Sequence, residues 1–164
     1  MQVTRAELHQ ALREPEEGEL DPVFSALAEP RFGLGLETIY EGYLVHYGTP
    51  RLYEPQDGDA ALVAGDYLYA QGLARIAGLG RVEAVSDLAE LISLCAQARA
   101  DGRPGDGAAW AATAALLGQG RLAKARETFS STGEAGALDV LARKAAGDRA
   151  VDRALAAHAR LVPR

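Results

Sequence analysis

The stretch from Asp59 to Gly80, DAALVAGDYLYAQGLARIAGLG, constrains this chain more than any other. Its first half carries almost no polar residue, and nothing in it alternates apolar with polar as a half-buried strand would. A segment of this length that is apolar on nearly every side reads as a central, largely buried helix. Gly65 and Gly72 lie seven residues apart, roughly on one face. Each costs a helix about 1 kcal/mol against alanine. Their shared face is expected to let a neighbouring helix approach closely.

The same reading extends along the chain. Thr4-Arg5-Ala6-Glu7 has the form of a capping box, followed by Leu8 and Leu12, and predicts a helix over about 4–14. Asp21-Pro22 opens a short helix to about Glu29, ended by Pro30. Residues 36, 39, 40, 43, 44 and 47 keep a helical period that Gly48-Thr49-Pro50 terminates. A second long helix, Val82 to Ala100, carries Val85, Leu88, Leu91, Ile92 and Cys95 as its stripe. The run Gly102 to Gly107 breaks the chain. Beyond it, 108–117, 122–129, 135–146 and 148–161 read as four shorter helices divided by glycines. The expectation is an all-α single-domain bundle over residues 1–164, of eight or nine helices around one core.

Composition agrees. A chain of 164 residues, 48% of them apolar, has room for one domain with a real core. Alanine and leucine supply most of that mass, which favours helix over sheet. A net charge of −6 with 24% charged residues excludes a disordered acidic tail and argues against a general nucleic-acid binder. One cysteine, Cys95, allows neither an intrachain disulfide nor a thiolate zinc cluster. The N-terminus lacks a signal-peptide run and no window is long and apolar enough to span a membrane. The expected address is the cytoplasm. Fifteen arginines against two lysines fit a GC-rich bacterial genome. The final Leu161-Val162-Pro163-Arg164 has the form left when thrombin cuts a tag linker, and is set aside from the functional reading.

Candidate chemistry is sparse. His9, His46 and His158 fall in no metal-ligand spacing and read as surface or half-buried residues. No GxSxG, Walker A or GxGxxG motif occurs, so no cofactor is expected. Cys95 sits where a small buried hydrophobe belongs. Tyr40, Tyr43 and Tyr47 share a helix face, either as core or as a wall lining a ligand pocket, with Tyr67 a further lining candidate. Asp66 lies in the apolar centre VAGDYLYA. A carboxylate expected to be buried there must be paired, hydrogen-bonded or protonated. It either meets an arginine from another helix or forms the floor of a cavity.

The segment Gly48-Thr49-Pro50 followed by Ala61-Leu62-Val63-Ala64-Gly65-Asp66-Tyr67-Leu68 resembles the trans-isoprenyl diphosphate synthases, the polyprenyl synthetases. Gly48, Pro50, Ala61, Val63, Gly65 and Asp66 keep that family's spacing, and Ala112-Thr113-Ala114-Ala115-Leu116 looks like its later Lys-Thr-Ala-x-Leu segment. The likeness covers roughly residues 36–117 and implies an isoprenoid-synthase-like helical fold in that part. It also implies where catalytic groups should stand. The family's Asp-Asp-x-x-Asp falls on Glu37-Thr38-Ile39-Tyr40-Glu41, where only Glu37 and Glu41 are carboxylates. They keep an i, i+4 spacing, the remnant of a metal site or, more simply, exposed helix-face glutamates. The arginine pair expected before Gly48 is His46-Tyr47, the later lysine is Ala112, and no second aspartate-rich motif follows. Diphosphate chemistry without these groups has nothing to stabilise the leaving group. The resemblance therefore implies a non-catalytic chain, similar to the small subunit of heterodimeric polyprenyl diphosphate synthases, shaping an apolar isoprenoid cavity beside a catalytic partner. Self-association as a homodimer through 59–80 and 82–100 is the other partnership expected.

Two alternatives stand beside this reading. Trp110 to Ala125 resembles one tetratricopeptide unit, which would make the chain a helical interaction module. A small bundle that binds an apolar ligand, with Asp66 and the tyrosines lining the pocket, is the second. A stand-alone enzyme would have to rest on magnesium at Glu37, Glu41 and Asp66, without basic partners.

Overall fold

A computed structural model describes residues 13–163 of the protein. The helix expected over 4–14 and His9 fall almost entirely outside them, and Arg13 and Glu14 are not helical. Every regular element among the described residues is helical. Two short 3₁₀ turns, Ser25–Leu27 and Pro30–Phe32, lead into seven α-helices. These are α1 Gly33–Tyr47, α2 Gly58–Ala77, α3 Val82–Ala100, α4 Asp106–Ala115, α5 Ala123–Thr132, α6 Gly136–Ala146 and α7 Asp148–Leu161. Among them, no helix is long and apolar enough to cross a membrane.

The element that sits at the centre is α1, not α2 as expected from sequence. Eleven consecutive residues of α1, Gly35 to Val45, are buried. One side of α2 faces outward, with Leu62 57%, Val63 51% and Tyr67 40% exposed. The physical reason lies in side-chain size. Ile39, Tyr40 and Tyr43 project from α1 toward several neighbours at once, whereas the outer positions of α2 after Tyr67 are alanines.

The glycine face works as its spacing predicts. Here α2 runs antiparallel to α1, so Gly72 meets Gly35 and Gly65 meets Gly42. A methyl group on Gly42 would stand 2.9 Å from the Gly65 carbonyl oxygen, and one on Gly72 2.9 Å from the Gly35 carbonyl oxygen. Only bare backbone fits between the helices. Side chains at these positions would push apart the tightest helix pair in the molecule.

The remaining helices surround the aromatic side of α1. Trp110 of α4 packs edge-on against Tyr40 and Tyr43 and stacks on Phe24 from the turn before α1. Large rings thus bridge helices whose backbones stay apart. The helix α4 also packs on α3, α6 and α7. Cys95 is buried on α3 with Ala84, Leu88, Leu91 and Ala98, in agreement with the expected stripe. One continuous core runs through all of this, with a smaller cluster of Val45, Tyr53, Ala64 and Leu68 beside it.

Three local expectations change. The helix expected from Asp21 is only a 3₁₀ turn, because the Val23 and Ser25 amides donate to the Glu37 carboxylate (2.8 and 3.1 Å) instead of continuing a helix. The helix α2 begins earlier than Asp59, capped by the Asp57 carboxylate accepting from the Ala60 amide at 2.8 Å. Leu161 and Val162 belong to the packed fold. The Leu161 carbonyl accepts from the Thr49 amide at 2.7 Å, and Val162 is 5% exposed.

Candidate functional site

Two buried polar clusters meet α1, and both hold residues singled out from sequence. The first is built on Glu37 and Glu41, one helical turn apart on α1. Neither lies on the surface: their side chains are 7% and 0% exposed. The loop after Gly48-Thr49-Pro50 brings Arg51 between them. Its Nη1 donates to Glu37 Oε2 at 2.8 Å and its Nε to Glu41 Oε2 at 3.0 Å. Glu41 Oε1 also accepts the Arg51 and Leu52 amides at 2.7 and 2.8 Å. Arg51 completes its set with the Asp21 carbonyl at 2.6 Å and lies over the Tyr40 ring, 5.2 Å from its centroid. Burial alone would lower the Arg51 pKa, but the two carboxylates outweigh it and raise it. The glutamates therefore share one internal cation and hold the 48–53 loop against α1. A metal ion here would have to displace a guanidinium that already fills the space between them.

The second cluster is centred on Asp106, at the first turn of α4. Its carboxylate accepts from the Tyr43 hydroxyl, from Arg99 Nη2 at 2.7 Å and from His158 Nε2 at 3.2 Å. His158 Nδ1 lies 2.8 Å from the Tyr40 hydroxyl. A carboxylate only accepts, so the imidazole carries a proton on Nε2, and its Nδ1 pairs with the Tyr40 hydroxyl. Burial alone would raise the Asp106 pKa. Hydrogen bonds from His158, Tyr43 and Arg99 outweigh it and hold the carboxyl below its usual range. Burial pushes the Tyr40, Tyr43 and Cys95 groups up. A proton-transfer site needs groups poised near the working pH. Here the acid is more acidic and the phenols and thiol less so. The cluster ties α1, α3, α4 and α7 together.

The pocket candidates separate into three places. Tyr40 and Tyr43 are at most 1% exposed and pack on Phe24, Trp110 and His158, as core. Tyr47 is half-buried beside Tyr43. Asp66 and Tyr67 lie on the outer face of α2, and the expected burial of Asp66 is corrected: its side chain is 68% exposed, with His46 Nε2 at 3.1 Å. An apolar neighbourhood in sequence became a solvent-facing one because the other side of α2 is turned to α1. His46 is mostly buried between Tyr47 and Tyr69.

Arg51, Arg99 and Asp106 carry the polar architecture and are not singled out by the sequence reading; His158, expected at the surface or half-buried, is instead buried at 6% exposure, because Asp106 and Tyr40 satisfy both its ring nitrogens. Their sequence signal is indirect. Two glutamates a turn apart inside an otherwise apolar helix call for a buried cation, and Arg51 follows the break that returns the chain to that helix. Outside these clusters, a groove of about 750 Å³ lies between α3 and α5, lined by Ser86, Ser93, Glu90, Ser130 and Ser131. Asp87 and Arg126 close its floor with a 3.0 Å ion pair, and Asp87 also accepts the Gly118 amide at 2.7 Å. Among the described residues, no group of three or more His, Cys, Asp or Glu side chains is arranged to hold a metal ion. Comparison of the chain with protein-family models, with curated proteins and with solved structures finds no match.

Proposed function

We propose that this chain is a non-catalytic helical subunit that works by contact with other protein chains. The observation that carries this reading is the Glu37–Arg51–Glu41 cluster. In the resemblance to the polyprenyl synthetases, this helix face is where metal-binding carboxylates would stand. In this protein the face turns inward, loses one carboxylate and takes an arginine in the gap. The interior around it is filled by the chain's own aromatic rings, so a contribution to an isoprenoid cavity would come from the surface. The tetratricopeptide reading has less support. Its two helices, α4 and α5, flank the expected turn, but α4 packs on α6 instead of forming a hairpin with α5.

The resemblance over residues 36–117 names the partner to test, the catalytic chain of a polyprenyl diphosphate synthase. Co-expression with such a chain encoded next to this one should give a co-eluting complex on size exclusion and a shift in product chain length. Separate elution with an unchanged product would overturn the pairing. Magnesium titration by calorimetry tests the non-catalytic half. No saturable heat is expected, and saturable binding that Glu37→Gln abolishes would restore a metal site.

A further inference from the structure

The net charge of −6 is unevenly spread along the chain. Residues 136–164 carry six lysines and arginines against three aspartates, a local +3 that leaves −9 for the rest. On α7 these cations form a line. Arg149, Arg153 and Arg160 are exposed, with the exposed Ala156 between them. Steps of four, three and four residues keep all four within about 60° of one another around the helix. None of the three arginines has an ion partner among the described residues. Asp148 and Asp152, which flank the line, are already held by Arg143 at 3.5 and 2.8 Å. Complementary charge is how such a stripe selects and orients a partner.

The groove between α3 and α5 is its complement. The α3 wall reads Glu90, Leu94 and Gln97, and continues to Asp101. These steps are again four, three and four, so wall and stripe both span about 16 Å. Glu127 stands on the α5 wall, and neither it nor Glu90 has an ion partner among the described residues. Ser93, Ser130 and Ser131 are small enough to let a helix settle between the walls. Arg126, the cation in the floor, is taken by Asp87 at 3.0 Å.

We propose that α7 of one copy of this chain lies in the α3–α5 groove of the next, antiparallel to α3. That register sets Arg149 level with Asp101, Arg153 with Gln97, Ala156 with Leu94 and Arg160 with Glu90. Each arginine meets an acceptor, and the small alanine meets the partly exposed leucine. Gln97 Nε2 donates to Asp101 at 3.0 Å, which leaves the Gln97 carbonyl oxygen to accept from Arg153. A parallel arrangement would lay Arg153 on Leu94 and align the two helix dipoles unfavourably. Stripe and groove are different surfaces of one molecule, so the contact is heterologous and either closes into a ring or runs on as a chain.

This contact is separate from the pairing with a synthase, and its test uses this chain alone. Exposed ion pairs are individually weak and screened by salt, so association should rise with concentration and fall with ionic strength. Light scattering at low salt should show the mass climbing to about twice the 17.3 kDa of one chain or beyond. It should return to one chain in about 1 M sodium chloride, where charges are screened within about 3 Å. A mass fixed at one chain throughout overturns the proposal. Glu90→Arg and Arg160→Glu, both at exposed sites, should each abolish the association and leave the helical circular-dichroism spectrum unchanged. An equimolar mixture of the two variants should regain it, because each α7 then finds a groove of opposite charge. Recovery by Glu90→Arg mixed with Arg149→Glu instead overturns the antiparallel register. Recovery by neither mixture, or association that survives high salt and both substitutions, overturns the contact.

Discussion

Asp106 collects a phenol, a guanidinium and an imidazole on one carboxylate, and its ionisation is therefore linked to the stability of the whole fold. Its pKa is depressed in the folded state. The stabilisation is in place above the unfolded carboxyl value, about 4, and is lost as pH falls below that toward the folded value. Asp106→Asn should cost about 3 kcal/mol at neutral pH, as breaking a buried charge pair does. The deficit should shrink near pH 3, about one unit below the unfolded value. Urea midpoints at both pH values check this, and an equal deficit at each would remove Asp106 from the acid limb. Arg51 makes the opposite case, one cation serving two buried anions. Arg51→Met keeps the chain length but leaves Glu37 and Glu41 unpaired, at a cost of about 3–5 kcal/mol. A loss below about 1 kcal/mol would mean the pair is solvated in solution. Both carboxylates of the first cluster were visible in the sequence as an i, i+4 pair. Their burial was not, because it depends on Arg51 returning from beyond a turn.

At the scale of elements, glycines in helices do opposite things according to what lies opposite them. Gly72→Ala gains about 1 kcal/mol of helix propensity but drives a methyl group against the Gly35 carbonyl and Ile39. Overpacking of this kind costs about 1–3 kcal/mol, so the net effect should be a lower denaturation midpoint. Gly136 opens α6 with nothing near its missing side chain. Gly136→Ala should raise the midpoint, through a gain in stability of up to about 1 kcal/mol. Similar effects at both sites would refute the close α1–α2 contact. The positions of α1, α2 and α3 were readable from period and breaks. Which of α1 and α2 lies at the centre was not, since both are strongly apolar. The choice fell to α1 because its large rings need partners on several sides, among them Trp110 and His158.

For the molecule as a whole, Trp110 is the natural reporter. It is the single tryptophan, it is 1% exposed, and it stands where α1, α4 and the segment before α1 meet. If one core joins the α1–α2 pair to the α4–α6–α7 group, its fluorescence and the helical circular dichroism should report the same urea transition. Two separated transitions would divide the chain into independently stable halves. The expectation of a single domain rests on the same continuity.

What the sequence determined on its own is the all-helical class, the breaks at Gly48-Thr49-Pro50 and Gly102–Gly107, and the glycine face shared by Gly65 and Gly72. These are local: propensity, period and steric size act within a few residues. Only the tertiary structure decided that Glu37 and Glu41 are buried, that Asp66 is exposed and that His158 is a core residue. Each depends on a partner or a neighbour brought from elsewhere, as Tyr40 and His158 are, 118 residues apart. A polar side chain is buried when something distant satisfies it, and no local pattern encodes that meeting.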